Sequence, residues 1–244
     1  ERASICLFLR RDLQPLADAS SYVLSPEVVR SQLSGADDPA QFAGRIAWRT
    51  KVGLSFGAPA SGSREIGRYP GKVGVSDGGE AGPVRVDARK GTFVMETPRT
   101  AGGFAESGLI DAGALVARLE GSSATVWANG LDELPLRSSR HILVTHLTEV
   151  QNSGSSFDDD ERKILLDWGN LPHLMRAGRA DISLTTTNAN ATVWGLASDG
   201  TRRCEIPCRM ERGVLRFIAD IARDRSDATY LYEIVFTDKK GTNE

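Results

Sequence analysis

The sequence predicts an all-β protein: an antiparallel β-sandwich of immunoglobulin-like or jelly-roll-like kind, preceded by a short N-terminal connector of strand and helix. Three observations carry this expectation. From Val84 to Phe236 apolar and polar residues alternate in short runs, turn residues interrupt those runs at intervals of about ten positions, and no helical periodicity of useful length follows Gly82.

Taken in order, Ser4–Leu9 is an apolar run that reads as a buried strand, closed by the charged turn Arg10, Arg11, Asp12. Ser25 has the chemistry of a helix N-cap, Pro26 suits the first helical position, Glu27 suits the positive helix end, and Gly35 suits a stop. A helix over Pro26–Ser34 is expected. Ile46–Phe56 reads as a strand, and Gly57–Gly82, dense in Gly, Ser and Pro, as a long surface loop.

Within the sandwich, Val84, Val86 and Ala88 alternate with Arg85, Asp87 and Arg89, and Phe93, Met95 and Thr97 mark the next strand. Leu115–Leu119, Ala124–Asn129, Arg140–Gln151 and a short run around Ile164–Trp168 follow. Ala180–Thr186, Ala191–Ala197, Arg202–Cys208, Val214–Ile218 and Thr229–Phe236 complete a series of about ten strands. Asp199-Gly200 is a hairpin signal, because glycine supplies the positive φ of a tight turn. The expected division is a connector over residues 1–82, a sandwich over 83–237 and a polar tail over 238–244.

Composition limits the function. Thirty basic and 32 acidic residues, a formal net charge of -2, are interspersed along the chain and create no sustained positive field for nucleic acid or anionic lipid. The longest apolar runs, such as Ile5–Leu9, are far shorter than the roughly 20 residues that cross a bilayer as a helix. The chain opens on Glu1 with no basic and apolar leader, and reads as a piece of something larger. Of three cysteines, Cys204 and Cys208 would stand roughly 13 Å apart on one extended strand, too far for a disulfide without a bend at Pro207. Free thiols are expected.

Four stretches in order resemble the C-terminal region of large bacterial glycoside hydrolases. They are Leu7-Phe8-Leu9-Arg10-Arg11-Asp12, the run from Gly91 to Thr100, Ala191-Thr192-Val193-Trp194-Gly195-Leu196, and Asp199-Gly200. In those enzymes a TIM-barrel catalytic domain is followed by a connecting segment and a β-sandwich. The chain departs from the pattern at Arg11, where that connector usually has glycine. The resemblance implies a non-catalytic accessory domain of a polysaccharide-degrading enzyme, secreted or periplasmic, with the reacting carboxylates upstream of Glu1. Its partners would be that catalytic domain and a polysaccharide or oligosaccharide. No catalytic residue and no cofactor is carried over, since no position here matches one.

Alternatives are a glycosidase working within this chain and a purely structural module. A glycosidase needs two carboxyl groups roughly 5–10 Å apart, and Glu96, Asp111, Glu149 and Asp167 qualify only by residue type. The acidic run Asp158, Asp159, Asp160, Glu161 suggests Ca²⁺ by its oxygens but lacks the alternating ligands and central glycine of a Ca²⁺ loop, so solvated charge is the plainer expectation. His141 and His146 differ by an odd number and should point to opposite faces of a strand, which disfavours a shared metal. Sugar modules stack pyranose faces on exposed aromatic rings. Trp127, Trp194 and Trp48 sit in expected strands and are assigned to the core. Trp168, beside Gly169 and Asn170, is the best platform; Tyr230 and Tyr232 share a strand face with Ile234 and Phe236, and Arg99 is placed to fork onto a carboxylate or acidic sugar, although such an arginine more often pins a loop.

Overall fold

The computed structural model describes residues 10, 19–24, 51–56, 64–68, 78–81, 83–87, 89–159, 162, 164–224 and 227–237. The first strands are β1 (Ala19–Leu24), β2 (Lys51–Phe56), β3 (Arg64–Arg68), β4 (Gly78–Ala81), β5 (Val84–Asp87), β6 (Thr92–Glu96) and β7 (Thr100–Ala105). Next come β8 (Gly108–Ala112), β9 (Leu115–Glu120), β10 (Ala124–Gly130), β11 (His141–Leu147), β12 (Val150–Ser153), β13 (Ser156–Phe157) and β14 (Leu165–Asp167). The series ends with β15 (Asn170–Met175), β16 (Arg179–Thr185), β17 (Ala191–Leu196), β18 (Arg202–Ile206), β19 (Cys208–Glu211), β20 (Val214–Asp220) and β21 (Leu231–Phe236). Among the described residues there is no helix; the expected helix over Pro26–Ser34 and strand over Ser4–Leu9 lie outside them, as do residues 238–244, Cys6 and Trp48.

Two antiparallel sheets form the sandwich. One has nine strands in the order β18-β17-β21-β11-β10-β7-β6-β5-β4, the other five in the order β19-β20-β16-β9-β8. The core between them is a single cluster drawing Ala101, Val126, Ile142, Val144, Val193, Tyr232 and Ile234 from the large sheet and Ile110, Leu115, Ala117, Ile182, Leu184 and Phe217 from the small one. Alternation explains this, since every second residue of a strand faces the same way. The burial of β16 reads Ala180, Ile182, Leu184 in, and Arg179, Asp181 out.

Several elements differ from the sequence expectation. β7 and β8 fall between two expected strands. β7 is Thr-Ala-Gly-Gly-Phe-Ala, poor in β-formers, and it is a strand because its neighbours come too close for side chains. A Cβ on Gly103 would stand 1.9 Å from the Phe93 carbonyl oxygen, and one on Gly102 would stand 2.2 Å from that of Val126. Arg202–Cys208 is not one strand: Pro207 ends β18 and the chain crosses to β19 in the other sheet. Cys204 and Cys208 are both free thiols. Arg140–Gln151 breaks after Leu147, and Gly57–Gly82 contains β3 and β4 where a loop is expected. β4 extends the large sheet to Gly78, ahead of the expected boundary at residue 83. β1, β2 and β3 form a separate parallel sheet. Asp199-Gly200 does turn the β17–β18 hairpin, with φ +91° at Gly200 and Asp199 Oδ1 accepting from the Thr201 amide at 2.9 Å.

Ile182 is 1 % exposed at the centre of the five-stranded sheet, so Ile182→Ala should lower unfolding free energy by about 2–5 kcal/mol, measured by urea denaturation.

Candidate functional site

After β11 the chain leaves the large sheet and makes a two-tier arm. β12 pairs with β15, with Gln151 opposite Leu174 and Asn152 opposite His173, and β13 pairs with β14 beyond them. The base is closed by the Arg176 amide donating to the Glu149 carbonyl at 2.8 Å and by the Thr148 hydroxyl donating to the Arg176 carbonyl at 2.5 Å. The Glu149 carboxylate takes ion pairs from Arg176 at 2.7 Å and from Arg162. Higher up, Asn152 Nδ2 and the Ser155 hydroxyl both donate to the Trp168 carbonyl, at 2.9 and 3.1 Å. Asp167 Oδ1 accepts from the Gly169 amide at 2.8 Å, and Gly169 has φ +66° with no room for a Cβ, which would meet the Ser153 carbonyl at 2.3 Å.

This scaffold displays large apolar side chains to water. Trp168 is 76 % exposed, Leu171 74 %, and Leu166, Ile164, Val150 and Leu174 accompany them. Among the described residues, six of the ten exposed large hydrophobic side chains thus lie on this arm, with Val150 and Leu174 on opposite faces of the β12–β15 ribbon. A cavity of about 200 Å³ lies beside them, lined by Glu149, Gln151, Leu174, Met175 and Arg176. Polar groups brace the same ribbon: Asn152 Oδ1 is 2.7 Å from His173 Nδ1, and Asn170 follows Gly169 at the turn.

The other expected site residues lie elsewhere. Tyr232 is fully buried, and its hydroxyl donates to the carbonyls of Thr229 at 2.8 Å and Asp220 at 3.2 Å, so the core consumes it. Burial pushes its phenol pKa above the ordinary value. Tyr230 does not share its face; it precedes β21 and covers Leu143, Leu196 and Leu231 on the opposite side of the sheet. Arg99 binds Glu133 at 2.9 Å and the Asp132 carbonyl at 2.7 Å, pinning the loop ahead of β11. Trp127 and Trp194, expected in the core, are half-buried on the outward face of the large sheet. There Phe93 meets Trp127 edge-on at 6.3 Å, and the Arg202 guanidinium lies 5.3 Å from the Trp194 ring.

The candidate carboxylates are each engaged locally on separate elements. Glu96 accepts from the Ala114 amide at 3.0 Å, Asp111 from the Gly113 amide at 3.1 Å, Asp167 from Gly169, and Glu149 holds the base of the arm. Among the described residues no three His, Cys, Asp or Glu side chains gather as a metal cage; Asp160 and Glu161 of the acidic run lie outside them. His141 and His146 point to opposite faces. His141 Nε2 is 2.6 Å from Glu233, whose carboxyl is held below the usual range chiefly by Arg202, 2.5 Å away. His146 is buried in the interior with Nδ1 unpartnered, and burial lowers its pKa to about 4 against the pull of Asp220. A cavity of about 770 Å³ lies on the outward face of the five-stranded sheet, where Arg209 and Arg216 flank Glu211 at 3.4 and 3.9 Å. Comparison with protein-family models, curated proteins and solved structures gave no match.

The sequence signal for the arm was the run Ile164-Leu165-Leu166-Asp167-Trp168-Gly169-Asn170-Leu171, apolar residues without the period of a half-buried strand. It identified Trp168 by its turn neighbours and missed the aliphatic residues around it.

Two outcomes follow. Because the His146 pKa falls from 6.5 to about 4 on folding, the unfolded chain binds the extra proton first on acidification. Its contribution to stability is therefore complete above pH 6.5 and is lost as pH falls towards 4, to a total of roughly 3 kcal/mol. Urea midpoints measured from pH 7.5 to 4 should show this slope in the native protein and a shallower one in His146→Leu. Separately, Tyr232→Phe should cost about 1–2 kcal/mol by removing a buried hydroxyl that serves two carbonyls.

Proposed function

We propose that this chain is a non-catalytic accessory β-sandwich of a polysaccharide-degrading glycoside hydrolase, and that the arm over residues 149–176 is its working surface. The observation that carries the reading is the display of Trp168, Leu171, Leu166, Ile164, Leu174 and Val150 on a hydrogen-bonded hairpin. Aliphatic side chains outnumber the aromatic one, and they suit the apolar surface of a protein neighbour better than the hydroxyl-rich rim of a sugar. The arm therefore seats against the catalytic domain of the same polypeptide. The four ordered sequence stretches name the kind of enzyme that domain would be.

A second role of the same arm is favoured by Trp168 alone. Its indole is the most exposed large apolar group among the described residues, its backbone is fixed by Asn152 and Ser155, and the polar Asn170 and His173 follow it on β15. That is the arrangement of a stacking platform for a pyranose ring with polar neighbours for its hydroxyls.

The chain alone, incubated with soluble and insoluble polysaccharides, is expected to release no reducing sugar; sustained turnover would overturn the accessory role. In the whole enzyme, Leu166→Ser with Leu171→Ser should lower the melting temperature of the catalytic domain while leaving the unfolding of this chain in isolation unchanged. Trp168→Ala should weaken retention of the chain on polysaccharide gels roughly tenfold if the ring stacks on sugar, a loss of about 1.4 kcal/mol. Unchanged retention removes the stacking role and leaves the docking role standing.

A further inference from the structure

The outward face of the five-stranded sheet carries charge that the fold does not use. Its strands turn Leu115, Ile182, Leu184 and Phe217 into the core, so the residues between them face out. One cross-strand row runs Arg209, Arg216, Ser183, Val116 and Asp111, and the next runs Ile218, Asp181, Arg118 and Leu109. All but Asp111 line the cavity of about 770 Å³ on that face. Its volume falls within the range of ligand sites, roughly 300–1,000 Å³.

Arg209 and Arg216 stand directly opposite one another on β19 and β20, a position in which like charges repel. The counter-charge they share is Glu211, which approaches their Nε atoms at 3.4 and 3.9 Å, and among the described residues neither guanidinium donates a hydrogen bond. Arginines elsewhere are clamped more closely: Arg176 lies 2.7 Å from Glu149, Arg202 2.5 Å from Glu233 and Arg203 2.8 Å from Asp224. Arg118 makes no ion pair among the described residues, although Asp181 is its register partner. Asp111, at the far end of the first row, is turned to the Gly113 amide at 3.1 Å.

Glu211 shows that a carboxylate fits between the two forks. Arg118 lies two strands from Arg216 and one row across, roughly 12 Å away at Cα by strand spacing, with Ser183 between them. Cationic points so spaced on a rigid sheet suit an extended chain bearing carboxylates at intervals better than one small anion. The five strands carry a single aromatic residue, Phe217, and it belongs to the core, so charge rather than ring stacking selects the ligand. Ser183, Thr185 and Asp181 offer polar partners to hydroxyl groups.

We propose that this face binds an acidic polysaccharide, a chain of uronate sugars, with one carboxylate held between Arg209 and Arg216 and another at Arg118. The choice of a saccharide rests on the accessory-domain reading, and the choice of a carboxylate polymer rests on the face alone.

Affinity electrophoresis of the chain through gels containing polygalacturonate, its fully methyl-esterified form or poly-glutamate separates the two. Polygalacturonate should retard the native chain, less so as salt rises, and the neutral ester should not. Arg209→Gln with Arg216→Gln should weaken retention about tenfold, and Arg118→Gln about threefold, with unchanged urea midpoints because all three side chains are exposed. Glu211→Gln, which removes the internal competitor, should strengthen it. Equal retention by the ester, or full retention of the folded double variant, would overturn the site; loss in Trp168→Ala alone would move the binding to the arm. Retention by poly-glutamate with none by polygalacturonate would overturn the saccharide in favour of an acidic polypeptide, a failure of the reading rather than of the face.

Discussion

The nine-stranded sheet has to be kept from water on both faces, and much of the rest of the structure answers to that constraint. β11 reads His-Ile-Leu-Val-Thr-His-Leu with five successive buried residues, and β21 buries Leu231, Tyr232, Ile234 and Phe236. A strand wetted on one side alternates; a near-continuous apolar strand is the signature of a sheet covered on two sides. The five-stranded sheet supplies one cover through the shared core. On the other side the sheet partly covers itself, with Trp127 laid across Gly102 and Tyr230 and Trp194 closing over Leu143, Leu196 and Leu231. The glycines of β7 are therefore required twice, once for the approach of the β6 and β10 backbones and once for the indole.

The strands that strict alternation can specify were legible in the sequence: β9, β10, β16, β17, β20 and β21 all lie where period-two runs stand between turn residues. What was hidden follows from chemistry that no local pattern encodes. β7 has weak strand propensity and is set by how close its neighbours stand, which is a tertiary fact. The change of sheet at Pro207 looks in the sequence like the middle of one strand, since a bend and a crossover share the same residue. Trp127 and Trp194 were read as interior because they are large and apolar, but in a sheet with two dry faces parity decides which interior a residue joins.

The same limits governed the site. Trp168 was recognisable because glycine and asparagine follow it, so it had to stand at a turn. Tyr232 was misplaced because a tyrosine on a strand can aim either way, and here its hydroxyl finds two backbone acceptors inside the fold that no spacing rule forecasts. Arg99 pins a loop, the commoner use of such an arginine, but its acceptors, Glu133 and Asp132, stand more than thirty residues away in sequence, where no local spacing names them. The aliphatic residues of the arm resemble core residues in composition. Only the pairing of β12 with β15, outside both main sheets, shows that they face water.

These features together locate where a partner can act. A surface used for binding has to remain exposed in the isolated chain yet be shaped strongly enough to bind without large ordering losses. The outward face of the large sheet fails the first condition, since Met95, Asn129 and Thr145 are already dry. The outward face of the small sheet meets it with charge, and there Glu211 lies beside Arg209 and Arg216. The arm meets both conditions: its backbone is fixed by Asn152, Ser153, Ser155 and Thr148, and its apolar side chains are left in water. Leaving Leu166, Trp168 and Leu171 exposed on a well-braced hairpin costs hydrophobic free energy in the free chain, and that cost is recovered only when another surface covers them. Among the described residues the arm is therefore where a well-braced backbone and uncovered apolar side chains coincide.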